Sequence, residues 1–580
     1  MTGEHLVWAG IALIAVVSRL VYLDFAPLNN AEAATSLRAL ALVQNGNEFA
    51  GAISANTSAI NPLFTSLQAF LFGVFGPSDF AARLISALAG IVLVLLPWLQ
   101  RAGMGRSRAL WMGLFLALSP TLWFVSRQAD GAVLAWMLAV ATYTAWRISA
   151  QPSHQISGPI IAGMCLGLLL ACGQHAVAPL LVVLAARLVS PAVPIDWRRF
   201  GSAAAISLVL GSTGLLFRTT GLGDVFNGLA GWWQQLTQPG PFVAGRLLMG
   251  LAIYEPLLYI SALIGIIWLL VHRQSWRGEW VNVARIAVGL VLLLVIQGRQ
   301  PDLMVPIIMG LSGFAAAGAD AVVRNIRDHA VPRFEGTLAS ISFVLLMLGA
   351  VAFRQYASSA DTTWLLLIAV AALFNLALLA FGNLLSGFGV GLRAIAIAAG
   401  LMLGLHTLSA AIQLNQVRPT NPAEPYVIAP PGEELRIMAQ TVRTISIRAY
   451  GEGSTLKLDV PADTPASALW ALRTQTSLTL RGASEDSEAA LTPISQRPGT
   501  ADGGTADGGT ADGGTAFVGT GFVMQRSLNL NAVRCTPAGE RTDCSAVARW
   551  VAFREAGTPS LTQWIFWLRG DIAALASGSR

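Results

Sequence analysis

The chain has 580 residues, 54% of them apolar and only 12% charged, with a mean hydropathy of +0.60 and a formal charge of +6. Soluble domains carry roughly 25% charged residues, so a water-soluble enzyme is excluded; the long apolar blocks exclude a disordered or fibrous chain as well. The tail from 414 holds 15 basic and 16 acidic residues, leaving 22 basic and 15 acidic for the first 413, so the basic excess belongs to the apolar part and reflects membrane topology, not nucleic-acid binding.

A crossing helix needs about 20 apolar residues. In chain order the candidates are 6–23, 80–99, 109–125, 129–148, 158–172, 175–190, 200–217, 246–271, 281–297, 302–322, 337–354, 362–382 and 388–413, thirteen in all. With the N-terminus in the cytoplasm, fourteen arginines fall on the inner side and seven on the outer, the bias expected of cytoplasmic loops. Thirteen crossings then put the tail outside.

The stretch 24–79 interrupts this series. Its run NPLFTSLQAFLFGVFG looks like a further span, but counting it as one would invert the arginine bias of everything after it. It is therefore expected to be an interfacial helix within an outer loop. The same reading suits 223–242, where Trp232 and Trp233 belong at headgroup level.

Four cysteines fall in two pairs. Cys165 and Cys172 lie in an apolar run and read as buried thiols. Cys535 and Cys544 flank a polar segment and, in an outer tail, read as a disulfide. The tail from 414 to 580 reads as a small β-rich or α+β domain, with VRTISIRAY and STLKLDV as alternating, strand-like runs. Within it TADGG occurs three times at 500–514, a composition expected to form a flexible loop.

Nine acids face the seven outer arginines. Ionisable groups in or at a membrane are costly and tend to mark function, so these are the candidate site residues. Asp130 follows Ser126 and Arg127 at the outer end of a span, where a salt bridge or helix cap competes with a functional role. Glu255 lies nine residues inside a span from Arg246, about 13 Å along a helix. It is expected either to be neutral and hydrogen-bonded between helices or to pair with an arginine and face a cavity. Arg83, Arg127 and Arg299 are outer guanidiniums able to fork onto phosphate oxygens.

The order SRLVYLDFAPLNNAEAATSLRAL, NPLFTSLQAFLFGVFGPSDFAARLISALAGIVLVLL and ALSPTLWFVSRQAD resembles the integral-membrane glycosyltransferases of the GT-C fold, including protein O-mannosyltransferase and aminoarabinose-transferase relatives. GWWQQLTQPGPFVAGRLLMGLAIYEPLLY resembles a less studied prokaryotic branch of that superfamily. The resemblance covers about residues 15–310, and GPSDFAARLISALAG is its most specific piece.

It implies a GT-C-like bundle with outer interfacial helices in the cytoplasmic membrane of a prokaryote, and transfer of a sugar from a polyprenyl-phosphate carrier to an extracytoplasmic protein, lipid or glycan. Arg299, in QGRQPDLMVP, stands where the resemblance places residues that meet the carrier. The sequence specifies no cofactor, though a divalent cation is compatible with it. Ala31 stands where the family usually has Asp, in Asn30-Ala31-Glu32. A hydroxyl acceptor needs a base, which alanine cannot supply. Glu32 is therefore the first candidate base and Asp24 the second; the rival expectation is a catalytically silent relative that binds lipid or acts as a scaffold.

Overall fold

A computed structural model describes residues 3–44, 61–218, 220–272, 276–329, 332–387, 389–482, 487–494, 517–528, 530, 533, 535–538 and 541–577. The TADGG repeat and positions 45–60 of the first loop lie outside them. Six helices among the described residues are long and apolar enough to cross a membrane: Gly3–Leu20, Asp79–Met104, Pro301–Arg327, Arg333–Ser359, Thr363–Ser386 and Val390–Val417. Shorter apolar helices, among them Pro62–Phe75, Ala132–Ile148, Ser157–Leu170 and Trp280–Val295, fill the bundle between them. A polytopic helical membrane protein with a small C-terminal sheet is the fold class that the sequence indicated.

Burial sorts the long helices. Asp79–Met104 and Pro301–Arg327 are 67% and 83% buried and form the centre, whereas the last three are only 17–22% buried. Those outer helices present Val344, Leu366, Leu373 and Leu384 outward, and such surfaces require lipid around them.

Two expected spans are broken, for one reason. The residue before a proline is pushed out of the α region. Ser119 takes ψ 115° before Pro120, ending Arg106–Leu118 and starting the short helix Pro120–Val125 within the expected span 109–125. Glu255 takes φ −116° and ψ 35° before Pro256, dividing 246–271 into Ala244–Tyr254 and Pro256–Val271, bent by 83°. Glu255 therefore sits at a corner and not part-way along a straight helix. The two corners meet: Glu255 Oε1 accepts from Ser119 Oγ at 2.5 Å and from the Thr121 amide at 3.1 Å.

The first loop is ordered by local chemistry. Asn29 and Glu32 form a reciprocal capping box at the start of Asn30–Val43. Asn61 caps Pro62–Phe75, which ends at Gly76 with φ 80°, and Ser78 caps Asp79–Met104.

In the tail, strands β1 (Leu458–Val460), β2 (Leu478–Leu480), β3 (Ala489–Pro493), β4 (Phe517–Ser527), β5 (Thr536–Ala538), β6 (Arg541–Asp543) and β7 (Ser560–Arg569) form two sheets. The larger has the order β2-β1-β3-β7-β4, with β1 parallel to β2 and β3 and the remaining pairs antiparallel; β5 and β6 form a hairpin. Cys535 and Cys544 are joined by a disulfide beside that hairpin, and Cys165 and Cys172 are free thiols. VRTISIRAY is not a strand. It completes the helix Glu434–Tyr450, whose buried face is Leu435, Met438, Val442 and Ser446, a helical spacing that overrides the β-branched content.

The tail and the first loop share one core. Leu28, Ala33, Leu37, Leu40 and Phe72 pack with Leu435, Met438, Leu469, Trp470 and Phe522. Between the last span and this core runs a linker, 418–432, that dips back into the bundle. Arg246 holds it by donating to the carbonyls of Pro425 and Val427, both at 2.8 Å, and of Glu424 at 3.1 Å. Glu424 is itself buried, accepting from the Tyr254 hydroxyl and pairing with Arg554 at 3.1 Å. At its far end the linker joins the edge of β4, through Gly432 N to Met524 O at 2.9 Å and Arg526 N to Pro430 O at 3.1 Å.

Candidate active site

Where the first loop, the bundle and the linker meet, they enclose a cavity of about 300 Å³. The first loop contributes Asn29, Asn30, Ala31 and Glu32; the turn after Pro120–Val125 contributes Arg127, Gln128 and Asp130; the connection before the helix at Val305 contributes Gln300, Pro301 and Asp302; the linker contributes Thr420 and Tyr426 to Pro431. Of the residues singled out from sequence, Glu32, Arg83, Arg127 and Asp130 come together here. Asp24, Glu255 and Arg299 are not among the residues that line it.

Glu32 and the two arginines are extensively hydrogen-bonded. Arg83 donates from Nε to Glu32 Oε1 and from Nη2 to Oε2, both at 2.9 Å. Its remaining donors go to the carbonyls of Leu23, Ala26 and Pro27 at 3.0, 2.7 and 3.3 Å, which uses all five N–H groups. Glu32 also accepts from the amides of Ala129 at 2.9 Å and Asn29 at 3.0 Å, so that its four lone-pair positions are occupied. Arg127 donates to the carbonyls of Ser18, Arg19, Val21 and Tyr22 at 2.6–3.3 Å. The two guanidiniums staple the chain from 18 to 27 onto the bundle, and Glu32 ties the capped loop helix to the turn that carries Asp130.

The other candidates make their contacts away from the cavity lining. Asp24 lends its backbone carbonyl to Arg436 of the tail helix at 2.5 Å. Glu255 is buried and hydrogen-bonded between helices, and Thr121, whose amide donates to it, links its hydroxyl to that of Tyr426 at 3.2 Å. Arg299 turns back onto its own helix end, donating to Leu293 O at 2.6 Å and Leu294 O at 3.0 Å, where a cation suits the negative end of the helix Trp280–Val295.

Two further carboxylates line the cavity. Asp130 lies in the connection before Ala132–Ile148, open to the cavity, with Oδ1 accepting from the Ala132 amide at 3.0 Å. Asp302, one of the nine outer acids but given no individual role from sequence, lines the same cavity and accepts from the Trp136 indole at 3.3 Å. Enclosure by protein, reinforced by the charge of Asp302, pushes the Asp130 carboxyl up to about 8. A Gln-Pro-Asp sequence just before a span was the available signal for Asp302, but nothing local says that it faces Asp130.

Among the described residues no three His, Cys, Asp or Glu side chains gather as a metal site. Two carboxylates beside a cavity fit the other pattern, in which a Mg²⁺-type cation takes one or two protein oxygens and completes its shell with water and substrate phosphate.

No protein-family model matches the chain, and no curated relative matches it. Among solved structures it is similar to ArnT from Cupriavidus metallidurans bound to undecaprenyl phosphate, at 15% identity over 82% of this chain and 86% of that one, with a TM-score of 0.49. It is also similar to the apo oligosaccharyltransferase of Archaeoglobus fulgidus, at 11% identity over 85% of this chain and 70% of that one, with a TM-score of 0.46. Both neighbours are glycosyltransferases of the GT-C fold. Likeness at this level carries no chemistry across; the roles assigned here rest on the residues themselves.

Proposed function

We propose that the protein is a membrane glycosyltransferase that moves a sugar from a polyprenyl-phosphate carrier to an acceptor hydroxyl on the extracytoplasmic side of a prokaryotic cytoplasmic membrane. The observation that carries the reading is the convergence in one cavity of the three segments on which the GT-C resemblance rests: the first loop, the start of Asp79–Met104 through Arg83, and the Ser126–Asp130 turn.

Asp130 is the base. A general base works best with a pKa near the working pH, and a carboxyl at about 8 is basic enough to draw the proton from a hydroxyl as the glycosidic bond forms. The acceptor oxygen bonds to the anomeric carbon, the carrier phosphate leaves with the bonding electrons, and the hydroxyl proton goes to Asp130. Glu32, which accepts from the Ala129 amide next to Asp130, acts as a positioning residue. Asp130→Asn tests the assignment: the purified variant retains carrier binding in native mass spectrometry and loses transfer by about 10²–10⁴-fold, the usual contribution of a positioned base.

A second reading has one observation in its favour. Ala31 lines the cavity at the position where the resemblance calls for an acid. A silent relative would then bind the carrier without turning it over, and Ala31→Asp would create activity in a protein that shows none.

A further inference from the structure

A second cavity, of about 1080 Å³, lies in the tail between the start of the linker and the segments that carry Arg526 and Arg549. Thr420 lines both cavities. On β4, Gln525 lines the first and Arg526 the second, the alternation expected of neighbouring strand residues, so linker and strand form a thin partition between the two spaces. Apart from Val417, at the end of the last span, the walls come from the linker and tail.

The charge of this cleft is one-sided. Among the described residues, Arg418, Arg526, Arg549 and Arg554 line it against one acid, Glu555. Arg554 is paired with Glu424, and Arg418 donates to the Phe553 carbonyl at 2.5 Å. Arg526 and Arg549 have neither an ion pair nor a side-chain hydrogen bond among the described residues. Two guanidiniums with free forks in a concave wall are matched to phosphate or carboxylate oxygens, and low-dielectric walls concentrate their field.

We infer that this cleft binds the anionic part of the acceptor, a glycan or polymer that carries phosphate or carboxylate groups, and so presents one of its hydroxyls past Thr420 to the first cavity. The inference rests on the transferase reading. An acceptor fits better than the carrier phosphate, because the carrier is anchored in the bilayer and the cleft is built almost wholly from linker and tail.

The test uses the full-length protein in neutral phosphatidylcholine nanodiscs, with tripolyphosphate and trigalacturonate as soluble probes in titration calorimetry and polyprenyl phosphate followed by native mass spectrometry. Wild type is expected to bind at least one soluble probe in a salt-sensitive manner. R526Q/R549Q is expected to weaken that binding by about tenfold or more, as loss of charge-assisted forks should, with carrier binding unchanged. Arg549→Glu, on an exposed side chain, repeats the test by charge reversal if the double variant folds poorly. Absence of binding by both probes, or equal binding by wild type and variants, overturns the inference; so does joint loss of probe and carrier binding, which assigns the cleft to the carrier. A wild type that binds the polyanion but neither binds nor turns over a carrier sugar removes the transferase reading and leaves the anion site in place.

Discussion

Arg83 and Glu32 meet as a two-pronged ion pair, both prongs at 2.9 Å, in which every donor of the arginine and every acceptor position of the carboxylate is used. Such a pair is a brace. Removing one partner of a buried pair typically costs about 3–5 kcal/mol, because the other charge is left enclosed and unmatched. Glu32→Gln is therefore expected to lower the unfolding temperature in detergent markedly and to reduce transfer as a consequence. A variant that melts like wild type but transfers nothing would return Glu32 to the role of base.

Asp130 gives the account its pH dependence. With its pKa near 8 in the folded protein and an ordinary carboxyl value in the unfolded chain, the folded form holds a proton between about pH 4 and 8 that the unfolded form has released. Stability contributed by this group is thus present at low pH and falls as pH rises through that window. Activity moves the other way, rising towards pH 8 as the base becomes free. Rate and melting profiles of wild type and Asp130→Asn check both signs, and the variant is expected to flatten the melting profile over this range.

Gly250 marks where the linker is pressed against the bundle. A Cβ added there would lie 2.5 Å from a ring carbon of Tyr426, whose ring also packs against Tyr254 and Phe124 at centroid distances of 5.2 and 5.8 Å. Gly250→Ala should displace Tyr426 at a cost of about 1–3 kcal/mol, as overpacking does. Limited proteolysis is the readout: the variant is expected to be cut faster between 418 and 432.

Asp79 fastens the tail to the first loop. It accepts from the Trp470 indole at 2.7 Å and from Arg436 at 3.0 Å. The Arg436 contact is partly exposed and contributes little, whereas the indole N–H, left unpaired, costs about 1–3 kcal/mol. Asp79→Ala is expected to raise hydrogen exchange in 466–473 and to leave the helices at 132–148 and 305–327 unchanged.

The legible parts of the site were those written locally. The capped first loop, Arg83 early in a span and Asp130 after Ser126-Arg127 sit in continuous motifs, and the structure gathers them. What escaped depends on where chains return. Arg299 reads as outward-facing, but its guanidinium folds back onto the carbonyls of Leu293 and Leu294. Asp302 stood in plain view as a charge, yet its partner Asp130 is far away in sequence. The linker that walls the cavity is held through Arg246 and Tyr254, contacts that span about 170 residues or more and that no periodicity encodes. The Glu255-Pro256 corner was readable, since residues before proline leave the helix, but the surrounding apolar run masked it.

On the proposed function, sugar transfer takes place in the cavity holding Asp130. Its most direct test is a single-turnover assay in which purified wild type and Asp130→Asn are loaded with the same labelled polyprenyl-phosphate sugar and release of free carrier phosphate is followed in the presence of acceptor. Equal loading is expected, with release by wild type and at least a hundredfold slower release by the variant. Equal rates from the two proteins, or a wild type that takes up no carrier, would contradict the proposed function.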